Sequence, residues 1–122
     1  MKITFIYKAD SGPGNTLLDI GHRILSPKTY PCQLCMITHD HFGKKQEFRA
    51  WIESAGYELA FYHRDEFVRE HGRELNWPAV LISDGEHELC IEGGQIDALA
   101  DFQALQDLIA TSIKQNFQQR KE

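Results

Sequence analysis

The spacing of apolar positions changes several times along the chain, and each change marks an element. Lys2–Tyr7 places Ile3, Phe5 and Ile6 in a short β-rich run. It is closed by Ala9-Asp10-Ser11-Gly12-Pro13-Gly14, a dense cluster of turn residues. Leu17, Ile20, Ile24 and Leu25 then repeat at helical spacing, with Thr16 and Asp19 fitting a capping box and Ser26-Pro27 ending the helix. Residues 27–43 read as irregular and polar. Phe48, Trp51, Ile52 and Ala55 predict a second helix from about Lys44, with Gly56 suited to its C-terminal end.

Tyr57–Tyr62 reads as a strand, and Phe67, Val68 and His71 as a short helix after Asp65 that stops near Gly72. Ala79–Ile82 and His87–Ile91 read as two strands joined by a hairpin at Ser83-Asp84-Gly85. After Glu92-Gly93-Gly94, a final helix carries Leu99, Phe102, Leu105, Leu108, Ile109, Ile113 and Phe117 on its inner side. This order predicts a single α/β domain over residues 1–117, with an insert at about 27–56 and a polar tail at 118–122. A strand–helix–strand opening implies a parallel crossover, and the closing hairpin adds an antiparallel pair. The sheet is therefore expected to be mixed, with helices on both faces.

Composition narrows the function classes. The 122 residues suffice for one domain that builds its own core. Eighteen acidic residues against thirteen basic give a net charge of −5, which argues against nucleic acid as a partner. No apolar run reaches the ~20 residues of a membrane span, and the N-terminal run is too short for a signal-peptide core. A cytoplasmic location is the resulting expectation. Three cysteines are too few for a disulfide scaffold, so in a reducing compartment a close pair points to redox work or metal binding.

That pair is Cys32 and Cys35, and three readings stand side by side. Two cysteines three apart can close a small disulfide ring, or attack a disulfide if one thiolate is stabilised. Cys32, Cys35, His39 and His41 together supply two sulfurs and two imidazoles, the ligand set of tetrahedral zinc. The pair can also be two small hydrophobes in the core. Elsewhere, the glycine-rich turn at residues 10–14 lacks the Lys-Ser/Thr ending of a phosphate-binding loop. Ser11 has no base assigned to it. His71 reads as half-buried, His22 as within reach of the insert, and Cys90 as core. The apolar stripe of the last helix leaves room for a homodimer contact.

From Tyr57 to about Leu105 the chain resembles the second half of thioredoxin-like and glutaredoxin-like domains. The features that carry the resemblance are Tyr57–Tyr62, Arg64–Gly72, Trp77-Pro78 before Ala79–Ile82, the Asp84-Gly85 turn, and Gly93-Gly94 with Asp97. The resemblance implies a cis Trp77-Pro78 peptide, with Pro78 lining a redox site. It also implies glutathione contacts at Gly93, Gly94 and Asp97. The family's CxxC directly follows the first strand, where this chain has Asp10-Ser11-Gly12-Pro13-Gly14; the CxxC here lies some twenty residues later. Tyr30-Pro31-Cys32-Gln33-Leu34-Cys35, with Ala9-Asp10-Ser11-Gly12 upstream, also resembles a group of short, uncharacterised bacterial proteins. The leading expectation is thiol–disulfide chemistry on a thioredoxin-like fold: Cys32 attacks, Cys35 resolves, and the substrate is a protein or small thiol or disulfide. The alternative is a zinc-binding or non-catalytic interaction module.

Overall fold

A computed structural model describes residues 1–12, 14, 32–40 and 43–118. The predicted first helix, with His22, and the positions of Pro13, Pro31 and His41 lie outside the described residues.

The central strand β1 (Lys2–Tyr7) follows from its own alternation. Ile3, Phe5 and Tyr7 enter one buried cluster and Ile6 enters another, so both faces of the strand are covered. The described residues continue with a helix α1 (Gln33–Thr38) and a two-residue ladder, β2 (His39–Asp40) against β3 (Gly43–Lys44). Then come α2 (Gln46–Ser54), β4 (Glu58–His63), α3 (Arg64–His71), β5 (Ala79–Ser83) and β6 (Glu88–Ile91). A short α4 (Gly93–Asp97) and a long α5 (Phe102–Ile113) follow, the latter running into a π turn at Lys114–Gln118.

The four-stranded sheet has the order β4-β1-β5-β6. Strand β1 pairs in parallel with β4, Phe5 opposite Phe61, and antiparallel with β5, Ile6 opposite Ala79. Strands β5 and β6 form the hairpin, with Leu81 opposite Cys90. This is a mixed sheet flanked by helices, as the pattern of elements predicts, and it is consistent with the thioredoxin-like arrangement that the resemblance implies.

One face of the sheet is dominated by aromatics. Phe48 of α2 sits among Phe5, Phe61 and Phe102, with ring centroids 5.6, 6.0 and 5.3 Å away. Helix α5 supplies Leu105, Ile109 and Ile113 to the same cluster, at the spacing of one helical stripe. The opposite face is smaller: Phe67 of α3 packs on Ile6, Ala79 and Leu81, with Trp77 and Cys90 at its margin. Cys90 is only partly buried at the margin of this cluster, not in the core where the sequence places it, because it sits on the edge strand β6.

Local signals set the element ends. Asp101 caps α5 by accepting the Ala104 N–H at 2.9 Å. His63 caps α3 in a capping box with Glu66, and Gly72 ends that helix at φ +65°, a conformation that favours glycine. In the hairpin, Asp84 Oδ1 accepts the N–H groups of Glu86 and His87 at 2.9 and 2.8 Å.

Three further expectations are corrected. Residues 27–43 are not irregular throughout: Leu34, Cys35, Ile37 and Thr38 are all buried, and that stripe holds α1 against the core. The final helix does not run unbroken from Leu99; α4 and α5 are separate, because the Asp101 cap starts a new helix after Leu99. His71 is exposed at its side chain rather than half-buried, its ring stacked on Phe67 at 4.5 Å.

Candidate functional site

Cys32 stands immediately before α1 in extended conformation and caps it. Its Sγ accepts the Cys35 N–H at 3.2 Å, and its carbonyl accepts the Met36 N–H at 3.1 Å. Cys32 and Cys35 are joined by a disulfide, with Cα atoms 5.3 Å apart. This spacing is what one turn at the start of a helix produces, so the CxxC motif and the helix start account for each other.

The pair is buried. Cys32 is 0% exposed and Cys35 5%, in the cluster that contains Leu34, Ile37, Val80 and Ile96. Helix α1 packs against α4, and Gln33 Nε2 donates to the Leu99 carbonyl at 2.7 Å. The insert thus folds back onto the segment that follows the hairpin.

That segment also holds the proline step. Trp77-Pro78 is cis, as the resemblance implies, and Pro78 is buried just before Ala79. Gly93 donates its N–H to the Asn76 carbonyl at 2.9 Å, and Glu92 Oε2 accepts the Asn76 N–H at 2.7 Å. A Cβ on Gly93 would lie 2.8 Å from the Trp77 carbonyl oxygen, so this close approach needs a glycine. Gly94 and Asp97 are exposed on α4. The Trp77 side chain belongs to the Phe67 cluster and the cysteines to the Phe48 cluster, so the indole and the disulfide lie on opposite faces of the sheet.

Behind the pair is a polar group in the core. Thr38 Oγ1 donates to the Leu34 carbonyl at 2.6 Å and lies 2.8 Å from His39 Nδ1. Thr38 Oγ1 thus stands between the Leu34 carbonyl and the His39 ring. The His39 ring meets the Tyr7 ring edge-on, 5.3 Å between centroids. Tyr7 is 8% exposed, and among the described residues its hydroxyl is a buried side-chain atom with no hydrogen-bond partner. Burial pushes this phenol well above its usual range, and the neighbouring Thr38 hydroxyl offsets only part of that.

The zinc ligand set is not assembled among the described residues. No group of three or more His, Cys, Asp or Glu there is placed to hold a metal, Cys32 and Cys35 are bonded to each other, and His41 lies outside the described residues. The third cysteine is separate from the pair. Burial pushes the Cys90 thiol up to about 11, so it stays protonated at neutral pH.

A second polar cluster lies where β1 and β4 end side by side. Ser11 donates its N–H and hydroxyl to Asp65 at 2.9 and 2.6 Å, and Arg64 holds Asp10 by two N–H bonds at 2.8 and 3.2 Å. The Ser11 hydroxyl and amide hold the Asp65 carboxyl below the usual range, and the Arg64 guanidinium does the same for Asp10. The partner of Ser11 is therefore a carboxylate that fastens the loop.

Sequence reasoning missed Tyr7, Thr38 and Asp65. A signal existed for Tyr7: it is the inward polar position of the series Ile3, Phe5, Tyr7. Comparison with models of protein families, with curated proteins and with solved structures found no match in any of the three.

Proposed function

We propose that this chain is a thiol–disulfide redox protein that cycles Cys32 and Cys35 between disulfide and dithiol. The observation that carries the reading is the bonded pair at the start of α1, with the Cys35 N–H on the Cys32 sulfur. A hydrogen bond to sulfur favours the thiolate over the thiol, which makes Cys32 the attacking residue. Its thiolate attacks one sulfur of a substrate disulfide, whose S–S bond breaks and releases a first thiolate that takes a proton. Cys35 then loses its proton, attacks Cys32 Sγ and releases the second substrate thiol, restoring the Cys32–Cys35 bond. Two electrons pass from the pair to the substrate. By resemblance, Pro78 lines the site, and Gly93, Gly94 and Asp97 belong to a glutathione-binding region. We place this chemistry in the cytoplasm; among the described residues no helix is long and apolar enough to cross a membrane.

Burial of both cysteines supports a second reading, a structural or interaction module in which the bond closes the start of α1 without turnover. One experiment separates the readings. The folded protein is equilibrated in glutathione buffers of graded potential, its thiols are trapped, and intact mass is measured. The redox reading expects Cys32 and Cys35 to appear as thiols together in one two-electron transition. A pair that opens only when the protein unfolds would overturn it in favour of the structural module. Stoichiometric zinc on the reduced protein, lost in Cys35→Ser, would favour the metal reading instead.

A further inference from the structure

The two edges of the sheet differ in how they are guarded. Strand β6 is four residues long, is bounded by Glu88 and Glu92, and carries the ion pair of Glu88 with Arg73 at 2.9 Å. Short length and charge are the usual defences of an open edge. Strand β4 is six residues long, holds no lysine and no proline, and pairs with β1 alone among the described residues. It also carries Phe61, which with Met1 is a large apolar side chain left exposed among the described residues. The Phe61 ring stacks on Phe5 and has the Lys44 ammonium 5.1 Å from its centroid, yet part of it still meets solvent.

The backbone of β4 is half used. Glu58 gives its N–H to the Met1 carbonyl at 3.1 Å, so the alternate residues Glu58, Ala60 and Tyr62 turn their backbone groups toward β1. Leu59, Phe61 and His63 turn theirs outward. The His63 N–H is taken by Glu66 Oε1 at 2.8 Å. Among the described residues, the outward N–H and C=O groups of Leu59 and Phe61 pair with nothing.

We propose that this edge binds a second copy of itself: two β4 strands pair antiparallel about a two-fold axis through Ala60. The resulting sheet is continuous across both copies. In this register Leu59 faces Phe61 of the second copy, and each such pair exchanges two N–H···O=C bonds, using the groups that are free. Ala60 faces Ala60 at the axis, in a pair whose Cα atoms come within about 4.5 Å, where a methyl group fits. Centring the axis on Phe61 instead would set Leu59 against His63, whose N–H is already committed to Glu66. Charge agrees with the Ala60 register. The two Glu58 carboxylates fall about 14 Å apart at ~3.4 Å per residue, beyond the screening length of about 8–10 Å. Each also has Lys2 at 3.5 Å. Helix α5 offers less, because Leu105, Ile109 and Ile113 are already buried in the core. The proposal stands independently of the redox reading.

The test uses the full chain with its disulfide intact. Sedimentation equilibrium is run up to about 1 mM, above the ~10–100 µM dissociation constant expected of a contact this small. The mass should rise from 14.1 kDa toward twice that value. Amide hydrogen exchange of the wild type, read residue by residue, should slow about fivefold or more at Leu59 and Phe61 between dilute and concentrated samples. The His63 amide, bonded to Glu66, should not change with concentration. In a Cys90→Ser background, Ala60→Cys should cross-link to its copy under diamide, since a separation of about 4.5 Å suits a disulfide. Glu88→Cys on the opposite edge, in the same background, should stay monomeric. A chain that remains monomeric at every concentration overturns the proposal and leaves the edge to a different strand. A dimer whose Leu59 and Phe61 amides exchange unchanged overturns it too, as does cross-linking of Ala60→Cys no faster than that of Glu88→Cys.

Discussion

Ser11 gives both its backbone N–H and its hydroxyl to one carboxylate, that of Asp65, 54 positions further along the chain. The adjacent pair Asp10 and Arg64 repeats the same separation. Both contacts follow from one fact: β1 and β4 are parallel neighbours, so the residues that leave them emerge at the same edge of the sheet. The loop that follows β1 is therefore fastened to the start of α3. Hydrogen bonds to a charged group contribute about 1.5–3 kcal/mol when well buried, and this site is partly exposed. Ser11→Ala is expected to cost about 1 kcal/mol in urea unfolding.

The same carboxylates make the fold acid-sensitive. Asp65 and Asp10 are held below their ordinary value of 3.8 by Ser11 and Arg64, respectively. The folded state thus binds fewer protons than the unfolded state near pH 4, so this part of the stability rises with pH. It is fully present above the unfolded value and is lost as pH falls through the lower folded values. Urea midpoints should hold between pH 7 and 5 and then drop toward pH 3. Combining Asp10→Asn with Asp65→Asn should flatten that drop; an unchanged slope would remove these two groups from the account.

Gly93 and Gly94 offer a sharp contrast between neighbours. A Cβ at Gly93 meets the Trp77 carbonyl at 2.8 Å, whereas one at Gly94 meets nothing within 4 Å. Gly93→Ala should destabilise by about 1–3 kcal/mol, since backbone must move to admit the methyl group. Gly94→Ala, within α4, should be neutral or stabilising by up to about 1 kcal/mol. Thermal unfolding of the two variants checks both expectations. If both lose glutathione binding equally, the contacts that the resemblance implies would explain them better than packing does.

Closing the Cys32–Cys35 ring restrains the unfolded chain only modestly, because the loop is short. Chain entropy gives about 2 kcal/mol for a four-residue loop. Urea unfolding with and without a phosphine reductant should differ by about that amount, at matched pH. A far larger difference would mean that α1 leaves the core on reduction, which near-UV circular dichroism would register.

Phe48 joins α2 to the sheet and to α5, touching Phe5, Phe61 and Phe102. Phe48→Ala is expected to cost about 3–5 kcal/mol. Phe61 is 36% exposed at the edge strand, and Phe61→Ala should cost about 1–2 kcal/mol. Chemical denaturation of the two variants measures the difference directly.

Much of the scaffold was legible residue by residue. Alternation marks β1, the Asp84-Gly85 turn marks the hairpin, and Gly72 marks the end of α3, because each is a local preference of a few neighbouring residues. The CxxC spacing fitted a helix start, but the extent of α1 was not legible: Gln33–Thr38 spans fewer than two turns, too short for a period to show. The break between Leu99 and Phe102 was hidden because apolar spacing continues across it, and only the Asp101 cap divides it. The cysteine pair was visible as a motif, but its depth was not.

By itself the sequence determined an α/β chain with a mixed sheet, a capped set of short helices and one cysteine pair at helix-start spacing. These depend on backbone preference and on periodicity within a dozen residues. Tertiary structure alone decided that the pair is buried, that the Tyr7 hydroxyl is buried beside Thr38, and that Ser11 belongs to Asp65. Each of those facts joins residues far apart in the chain, and only the pairing of β1 with β4 and β5 brings them together.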